Sequence, residues 1–371
     1  MGRLASALEL LLKPTSFATS DAPPDAEPFN GVDLEDERPD AGSYDYWQER
    51  APTYDEDIYK SSEEDQGLIR GEIEAAAARA RRGRGWADGV CDAPHRGECA
   101  AGGRHEEVPE GFLPGQGLLA IDAGCGPGLW LRGLSSRFSH VIGLDQSQNL
   151  LEKAKENHEE LLNDKSRKVD ILPAVDLGQP CVHERGQHGE DFCGPGVPGA
   201  KQQADLVASF NVLISPNKES RENILRREAE MLRPDPSSTL LLLVPSAESY
   251  RRVRDLYQQQ GVDSNLGRYI DYETPHPEEE AENVFRVYAK TKHYTKKEAC
   301  DMVEKVGLSC DKVLSYPMRW RYVYPYASDE ALEQLKQSHR PPAHEWIVVA
   351  HPKASAGVAS TVLSRAPADF L

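Results

Sequence analysis

Between Leu118 and Pro352, short apolar runs alternate with stretches whose apolar positions recur every three or four residues. Leu118–Ile121 reads as a short buried strand, Leu129–Phe138 as a helix and His140–Leu144 as a second strand. Ser147–Leu162 carries Leu150, Leu151, Ala154 and Leu161 on one side, which predicts one long helix. Val169–Pro173, Ala204–Phe210 and Thr239–Val244 read as the next three strands, with a helix at Arg221–Leu232. Thr295 followed by Glu298 is a capping-box pattern, and Gly307 is placed to end the helix it opens. Cys310–Tyr316 and Glu345–Ala350 complete the series as two final strands. Strands alternating with helices predict an α/β fold, a doubly wound and mostly parallel sheet of seven strands covered on both faces.

The chain outside this block reads differently. Residues 21–65 hold 16 acids, 3 bases and five prolines, so 1–42 is expected to be a disordered acidic extension. From Tyr44 the chain turns more apolar, through Tyr46, Trp47, Tyr54, Ile58, Ile69 and Ile73, and one or two covering helices are expected over 43–82. The arginine- and glycine-rich run at 83–115 reads as a flexible insertion. A second insertion, 178–203, interrupts the block after strand three, and a longer excursion at 246–293 has the length of a lid. The small, polar tail at 353–371 is expected to be disordered.

Composition narrows the function. Lys plus Arg is 43 against 61 for Asp plus Glu, a net charge of −18. That field repels phosphate backbones and disfavours nucleic acid as a partner. Among the tyrosines near strand six, Arg319 and Arg321 interleave with Trp320, Tyr322, Tyr324 and Tyr326. One face of that stretch has strand period and fits an apolar or aromatic acceptor pocket, or the packing of an edge strand. No apolar run approaches the ~20 residues of a membrane span. Seven cysteines in 371 residues make no disulfide scaffold, and nothing resembles a secretory signal. A reducing, cytoplasmic setting is expected, although Met1-Gly2 with Ser6 satisfies the minimal acylation pattern and residues 1–13 have helical apolar spacing. Cys91, His95, Cys99 and His105, and again Cys181, His183, His188 and Cys193, lie in the two insertions without a Cys-x-x-Cys anchor. They read as loop residues, and no metal is expected.

The segment richest in chemistry is Asp122-Ala123-Gly124-Cys125-Gly126-Pro127-Gly128, between the first strand and the first helix. Glycines there let the backbone turn sharply and approach a ligand closely. In an open α/β sheet such a turn lies at the ligand crevice. A dinucleotide fingerprint would need a third glycine at position 129, which is Leu129, and no Gly-Lys-Ser/Thr of a P-loop follows. An acid two residues before the first glycine suits a cationic amine better than a pyrophosphate. Asp145, followed by Gln146, closes strand two 17 residues after Gly128, near the spacing of an acid that accepts ribose hydroxyls. Asp176, followed by Leu177, stands just past strand three, where it can accept an exocyclic amine.

At these residues the chain resembles the class I S-adenosylmethionine-dependent methyltransferases, over about 118–352 apart from the insertions. Asp122, Gly124, Gly126 and Gly128 are similar to that family's first motif, Asp145 to its ribose acid and Asp176 to its adenine-side acid. Asp205 to Asn211 is similar to the strand-four motif, whose end lies under the methyl donor. The resemblance implies a seventh strand antiparallel to the rest, S-adenosylmethionine as cofactor, and an N-terminal helix whose Tyr54-Asp55 pair helps to close the site. It implies methyl transfer to a small-molecule acceptor. A non-catalytic cofactor-binding interaction protein and a protein or RNA methyltransferase are the other readings. The absence of Asn-Pro-Pro-Tyr after strand four, where Phe210-Asn211-Val212-Leu213 stands, argues against methylation of nucleobase or glutamine amides. If the acceptor must lose a proton, His293 and Tyr294 before the last helix, and His276 in the lid, are the weak candidates for a base.

Overall fold

The computed structural model describes residues 44–51, 67–85, 117–164, 168–178, 184–185, 191–192, 204–252, 281–286, 290–317 and 344–353. In chain order the helices are α1 Tyr44–Arg50, α2 Gly67–Gly83, α3 Leu131–Ser135, α4 Gln148–Asn157, α5 Glu159–Asn163, α6 Lys218–Met231 and α7 Lys296–Lys305. The strands are β1 Leu119–Ala123, β2 His140–Leu144, β3 Lys168–Ile171, β4 Glu184–Arg185, β5 Asp191–Phe192, β6 Leu206–Phe210 and β7 Thr239–Pro245, then β8 Val284–Arg286, β9 Lys290–Lys292, β10 Leu308–Pro317 and β11 His344–Pro352.

Seven of the described strands form one sheet in the order β10-β11-β7-β6-β1-β2-β3. β1 pairs in parallel with β2 on one side and with β6 on the other. The chain therefore winds outward in both directions from β1, and the switch point lies at the carboxyl ends of β1 and β6. β11 is antiparallel to both of its neighbours, as expected for the seventh strand. Leu240 to Val244 on β7 and Trp346 to Ala350 on β11 are buried without alternation. Strands covered on both faces have that pattern.

Two apolar layers cover the sheet. On one face lie Ile69, Ile73, Ala76, Ala77 and Ala80 of α2, packed with Leu131 and Leu134 against Leu206, Leu241 and Ile347. Their spacing puts one stripe of α2 on the sheet, and the alanines let its backbone approach closely. On the other face α6 and α7 contribute Ile224, Leu225, Ala299 and Val303 against Val207, Leu242 and Val348. Thr295 and Glu298 form the capping box in both directions, and Gly307 has φ +87° just beyond α7, as expected from the sequence.

Three expectations need adjustment. The long helix over Ser147–Leu162 is two helices, because His158 leaves helical geometry at φ −125° and ψ 25°. Its ring lies against Gly128, where a Cβ would come within 2.6 Å of its Cδ2. The excursion at 246–293 contains the antiparallel hairpin of β8 and β9, and the 178–203 insertion contains the short β4–β5 pair. Two of the seven cysteines, Cys300 on α7 and Cys310 on β10, form a disulfide that ties helix to strand. The zinc-like Cys and His residues of both insertions, together with Tyr54 and His276, lie outside the described residues. Among the described residues no helix is long and apolar enough to cross a membrane.

The amino ends of the strands are locked by one carboxylate. Asp205, fully buried before β6, accepts from the Leu119 amide at 2.9 Å and pairs with Arg84 at 2.7 Å and Arg233 at 2.9 Å. Three separate stretches of chain therefore meet on one side chain. Removing one partner of a buried ion pair leaves the others uncompensated. Asp205→Ala is expected to lower unfolding free energy by about 3 kcal/mol, the low end for such losses because both arginines are partly exposed. Urea unfolding checks this, and an unchanged midpoint would exclude the clamp.

Candidate functional site

The site grows from the turn after β1. The amides of Gly124 and Cys125 both donate to the Leu144 carbonyl, at 2.7 and 2.8 Å, which bends the loop back over the end of β2. Gly124 has φ +74°, and a Cβ there would lie 2.2 Å from Cγ2 of Val212. At Gly128, φ is +91° and a Cβ would fall 2.6 Å from Cδ2 of His158. Only glycine satisfies both the left-handed backbone and the close approach. Gly126, also left-handed at φ +53°, donates its amide to Asp145 Oδ2 at 2.9 Å.

Asp122 and Asp145 are brought together because β1 and β2 run side by side, with Asp122 opposite Gly143 and Ala123 opposite Leu144. Asp145 accepts from the Gly126 and Ser147 amides, the latter at 2.8 Å. Burial raises its pKa, and the Ser147, Gly126 and Gln146 amides oppose that rise. Asp122 has no such support. Among the described residues its buried Oδ2 has no hydrogen-bond partner. Burial first, and the Asp145 carboxylate second, push its pKa up to about 7. An orphaned buried carboxyl beside a second one is a poor place for an anion and a good place for an ammonium group. Gln146 is half-buried beside these acids.

Helix α1 crosses the carboxyl edge of the sheet. Gln48 Oε1 accepts from Ser147 Oγ at 2.8 Å and from the Asn149 amide at 3.0 Å. Ser147 is also the N-cap of α4, so the residue after Asp145-Gln146 anchors two helices. Tyr46 of α1 packs with Ile214, beyond the end of β6. The helix thus bridges the loop after β2 and the loop after β6. Sequence reading placed a covering helix here but did not single out Gln48, a lone amide in an acidic stretch that carries no pattern of its own.

The other expected positions are placed as follows. Asp176 is exposed, and its Oδ1 accepts from the Gly178 amide at 2.8 Å, while Arg227 of α6 donates to its carbonyl at 3.0 Å. Leu177 turns its side chain into the core, leaving only its backbone for a ligand. Asn211 ends β6 with φ +57° and donates from Nδ2 to Glu345 Oε1 at 3.4 Å. Its neighbour Val212 is the residue that lies over Gly124.

His293 and Tyr294 are both buried. His293 packs among Tyr250 and Phe285, with Nδ1 3.1 Å from the Thr291 carbonyl. Burial lowers its pKa to about 4. The Tyr294 hydroxyl donates to the Leu213 carbonyl at 2.6 Å, and burial raises its pKa well above the ordinary value. Both side chains brace the loop after β6 and the β8–β9 hairpin. Two acidic side chains passed unnoticed in the sequence. Glu345 is the second residue of β11, and burial raises its carboxyl to about 7 against the Asn211 hydrogen bond. Glu228 of α6 is buried and raised to about 8, with the Ser209 hydroxyl opposing the shift. An acid opening the otherwise apolar run Glu345–Ala350 was the available signal for Glu345. Among the described residues no group of His, Cys, Asp and Glu is arranged to hold a metal ion.

Residues 120–174 match the family model described as a methyltransferase domain. No curated protein matches the chain. Among solved structures, a magnesium protoporphyrin IX methyltransferase from Synechocystis with bound S-adenosylhomocysteine is 15% identical, with TM-score 0.43, covering 83% of this chain and 97% of that one. An S-adenosylmethionine-dependent methyltransferase from Methanosarcina mazei is 15% identical at TM-score 0.40, covering 67% of this chain and 97% of its own. A geranyl diphosphate methyltransferase complexed with its diphosphate and sinefungin is 12% identical at TM-score 0.38, covering 66% and 74%. At that level of superposition, the match over 120–174 and the chain's own sheet order carry the assignment.

The Asp122 carboxyl should be visible in the pH dependence of stability. Its folded pKa of about 7 lies above the ordinary 3.8, so its contribution is full below about pH 4 and is lost as pH rises through 7. Asp122→Asn is expected to flatten that fall and to stabilise the ligand-free protein at pH 8 by about 2–4 kcal/mol. Thermal unfolding from acid to mildly basic pH measures it. Equal slopes for variant and wild type would return Asp122 to an ordinary, solvated carboxylate.

Proposed function

We infer the acceptor class from a fixed premise: the chain belongs to the class I S-adenosylmethionine-dependent methyltransferases, and S-adenosylmethionine is its methyl donor. The acceptor is a small molecule. The observation that carries this reading is α1, whose Gln48 and Tyr46 reach from the loop after β2 to the loop after β6. A roofed crevice suits an enclosed ligand, whereas a protein or RNA substrate needs an open groove. The net charge of −18 adds to the case against RNA.

The residues present suit the donor. Asp122, whose buried Oδ2 has no hydrogen-bond partner among the described residues, is assigned to the donor's ammonium group. Gly124, Gly126 and Gly128 leave room for its amino-acid part along the loop. Asp145, held by the Gly126, Ser147 and Gln146 amides, is assigned to the ribose hydroxyls, with Gln146 beside it. Asp176 and the Leu177 amide are assigned to the adenine and Asn211 to the floor under the methyl group, and the resemblance assigns Tyr54 to closing the site. When bound, the sulfonium supplies an activated methyl group and a positive charge that is lost on transfer. The chain's part is to align, to exclude water and to receive a proton where the acceptor releases one.

Isothermal titration with S-adenosylmethionine and NAD, followed by assays of S-adenosylhomocysteine release with small molecules, proteins and RNA, tests this. Asp145→Ala is expected to weaken binding of S-adenosylmethionine by about 1–3 kcal/mol, roughly tenfold to a hundredfold. Unaltered affinity in a folded variant would remove Asp145 from the site. Turnover with protein or RNA and with no small molecule would overturn the acceptor class.

A further inference from the structure

The carboxyl edge of the sheet continues past the glycine loop toward β7 and β11, and a line of contacts marks the way. Val212 lies over Gly124, the adjacent Asn211 reaches Glu345 at 3.4 Å, and Glu345 stands opposite Pro245, where β7 ends. Asn211 is held in the left-handed region at φ +57°. An asparagine tolerates that backbone, which redirects its amide at the end of the strand. Alternation along β11 puts Glu345 on the face of Ile347, while His344 and Trp346 turn the other way.

Among the described residues, Asn211 is the one hydrogen-bond partner of the Glu345 carboxyl. No charged side chain among them opposes or supports it. Tyr316 of β10 stands directly opposite Glu345 on the same face of the sheet, and the titratable residues on the other side are engaged elsewhere. His344 Nε2 lies 3.3 Å from Ser246 Oγ, and Glu248 accepts from the Lys296 amide at 3.0 Å and from Trp346 Nε1 at 3.3 Å. A carboxylate with one amide donor keeps free acceptor capacity. Asn211 belongs to the end of β6, where the donor's methyl group is assigned above, so Glu345 lies on the acceptor side of that position.

We propose that Glu345, oriented by Asn211, is the catalytic base that takes the proton released by the acceptor as it is methylated. The acceptor heteroatom forms a bond to the methyl carbon, the carbon–sulfur bond breaks, and its electron pair stays on sulfur. The acceptor's N–H or O–H proton passes to the Glu345 carboxylate, and then to water when products leave. The base is matched to neutral pH because burial raises the carboxyl to about 7. This assignment rests on the small-molecule reading above, and it directs that reading toward acceptors bearing an ionisable N–H or O–H.

The test compares wild type with Glu345→Gln and Glu345→Asp in the full chain. Affinity for S-adenosylmethionine and S-adenosylhomocysteine is expected to be unchanged in both. With S-adenosylhomocysteine bound, the infrared difference between wild type and E345Q should show a protonated-carboxyl band that titrates away near neutrality. With the acceptor wild type methylates best, E345Q should lose about 10²–10⁴-fold in turnover and the rising limb of the pH profile, with E345D partly restored. Absence of the band throughout about pH 5–9 overturns the proposal. Wild-type turnover in E345Q, or loss of cofactor affinity in that variant, also overturns it. Silence of the wild type toward every small acceptor overturns the acceptor class instead, and the infrared band then decides Glu345 separately.

Discussion

Two carboxyl groups are buried side by side where parallel strands β1 and β2 end, and the architecture of the site follows from how unequally they are satisfied. Asp145 is met by backbone amides from the glycine loop and from the start of α4. Among the described residues nothing meets one oxygen of Asp122. Two adjacent anions cannot both be ionised cheaply in an enclosed place. The crevice is therefore left short of positive charge until something brings it. The left-handed turns at Gly124 and Gly128 are needed for the same reason, since they let the chain fold tightly enough to enclose both acids.

The sheet separates stability from chemistry along its length. Its amino ends converge on Asp205, where an amide and two guanidinium groups surround one carboxylate. Its carboxyl ends hold Asp122, Asp145, Asn211 and Glu345, three of them carboxyl groups displaced upward by burial. Rigid anchoring at one end lets the other tolerate groups that are individually costly. Helices α2 and α6 supply the apolar cover that makes the arrangement affordable.

Much of this was legible in the chain. Apolar runs without alternation marked the central strands, because burial on both faces removes the polar half of the pattern. Thr295, Glu298 and Gly307 marked a helix at both ends through local hydrogen bonding that depends on nothing distant. The Asp122–Gly128 turn was legible because only close backbone approach calls for so many glycines between a strand and a helix. What escaped reading was tertiary. The break at His158 falls where its ring meets Gly128, 30 residues away in sequence, and where Asn157 also reaches the Pro127 carbonyl. Gln48 acquires meaning only from Ser147, and Glu345 only from Asn211. Cys300 and Cys310 looked unremarkable because α7 turns directly into β10 and returns the second sulfur to the first.

The arginine that helps to close the Asp205 clamp does one thing more. Arg84 also donates to the Gly117 carbonyl at 3.4 Å, so the chain leaves the end of α2 and re-enters before β1 at a single knot. Any peptide strung between those two points begins and ends on the same guanidinium. Its length is only weakly coupled to the stability of the sheet, since lengthening a loop whose base is already fixed costs only a logarithmic entropy term. That spot is a natural graft point, where evolution or an engineer can splice in new sequence while the reaction centre at the far end of the strands stays untouched.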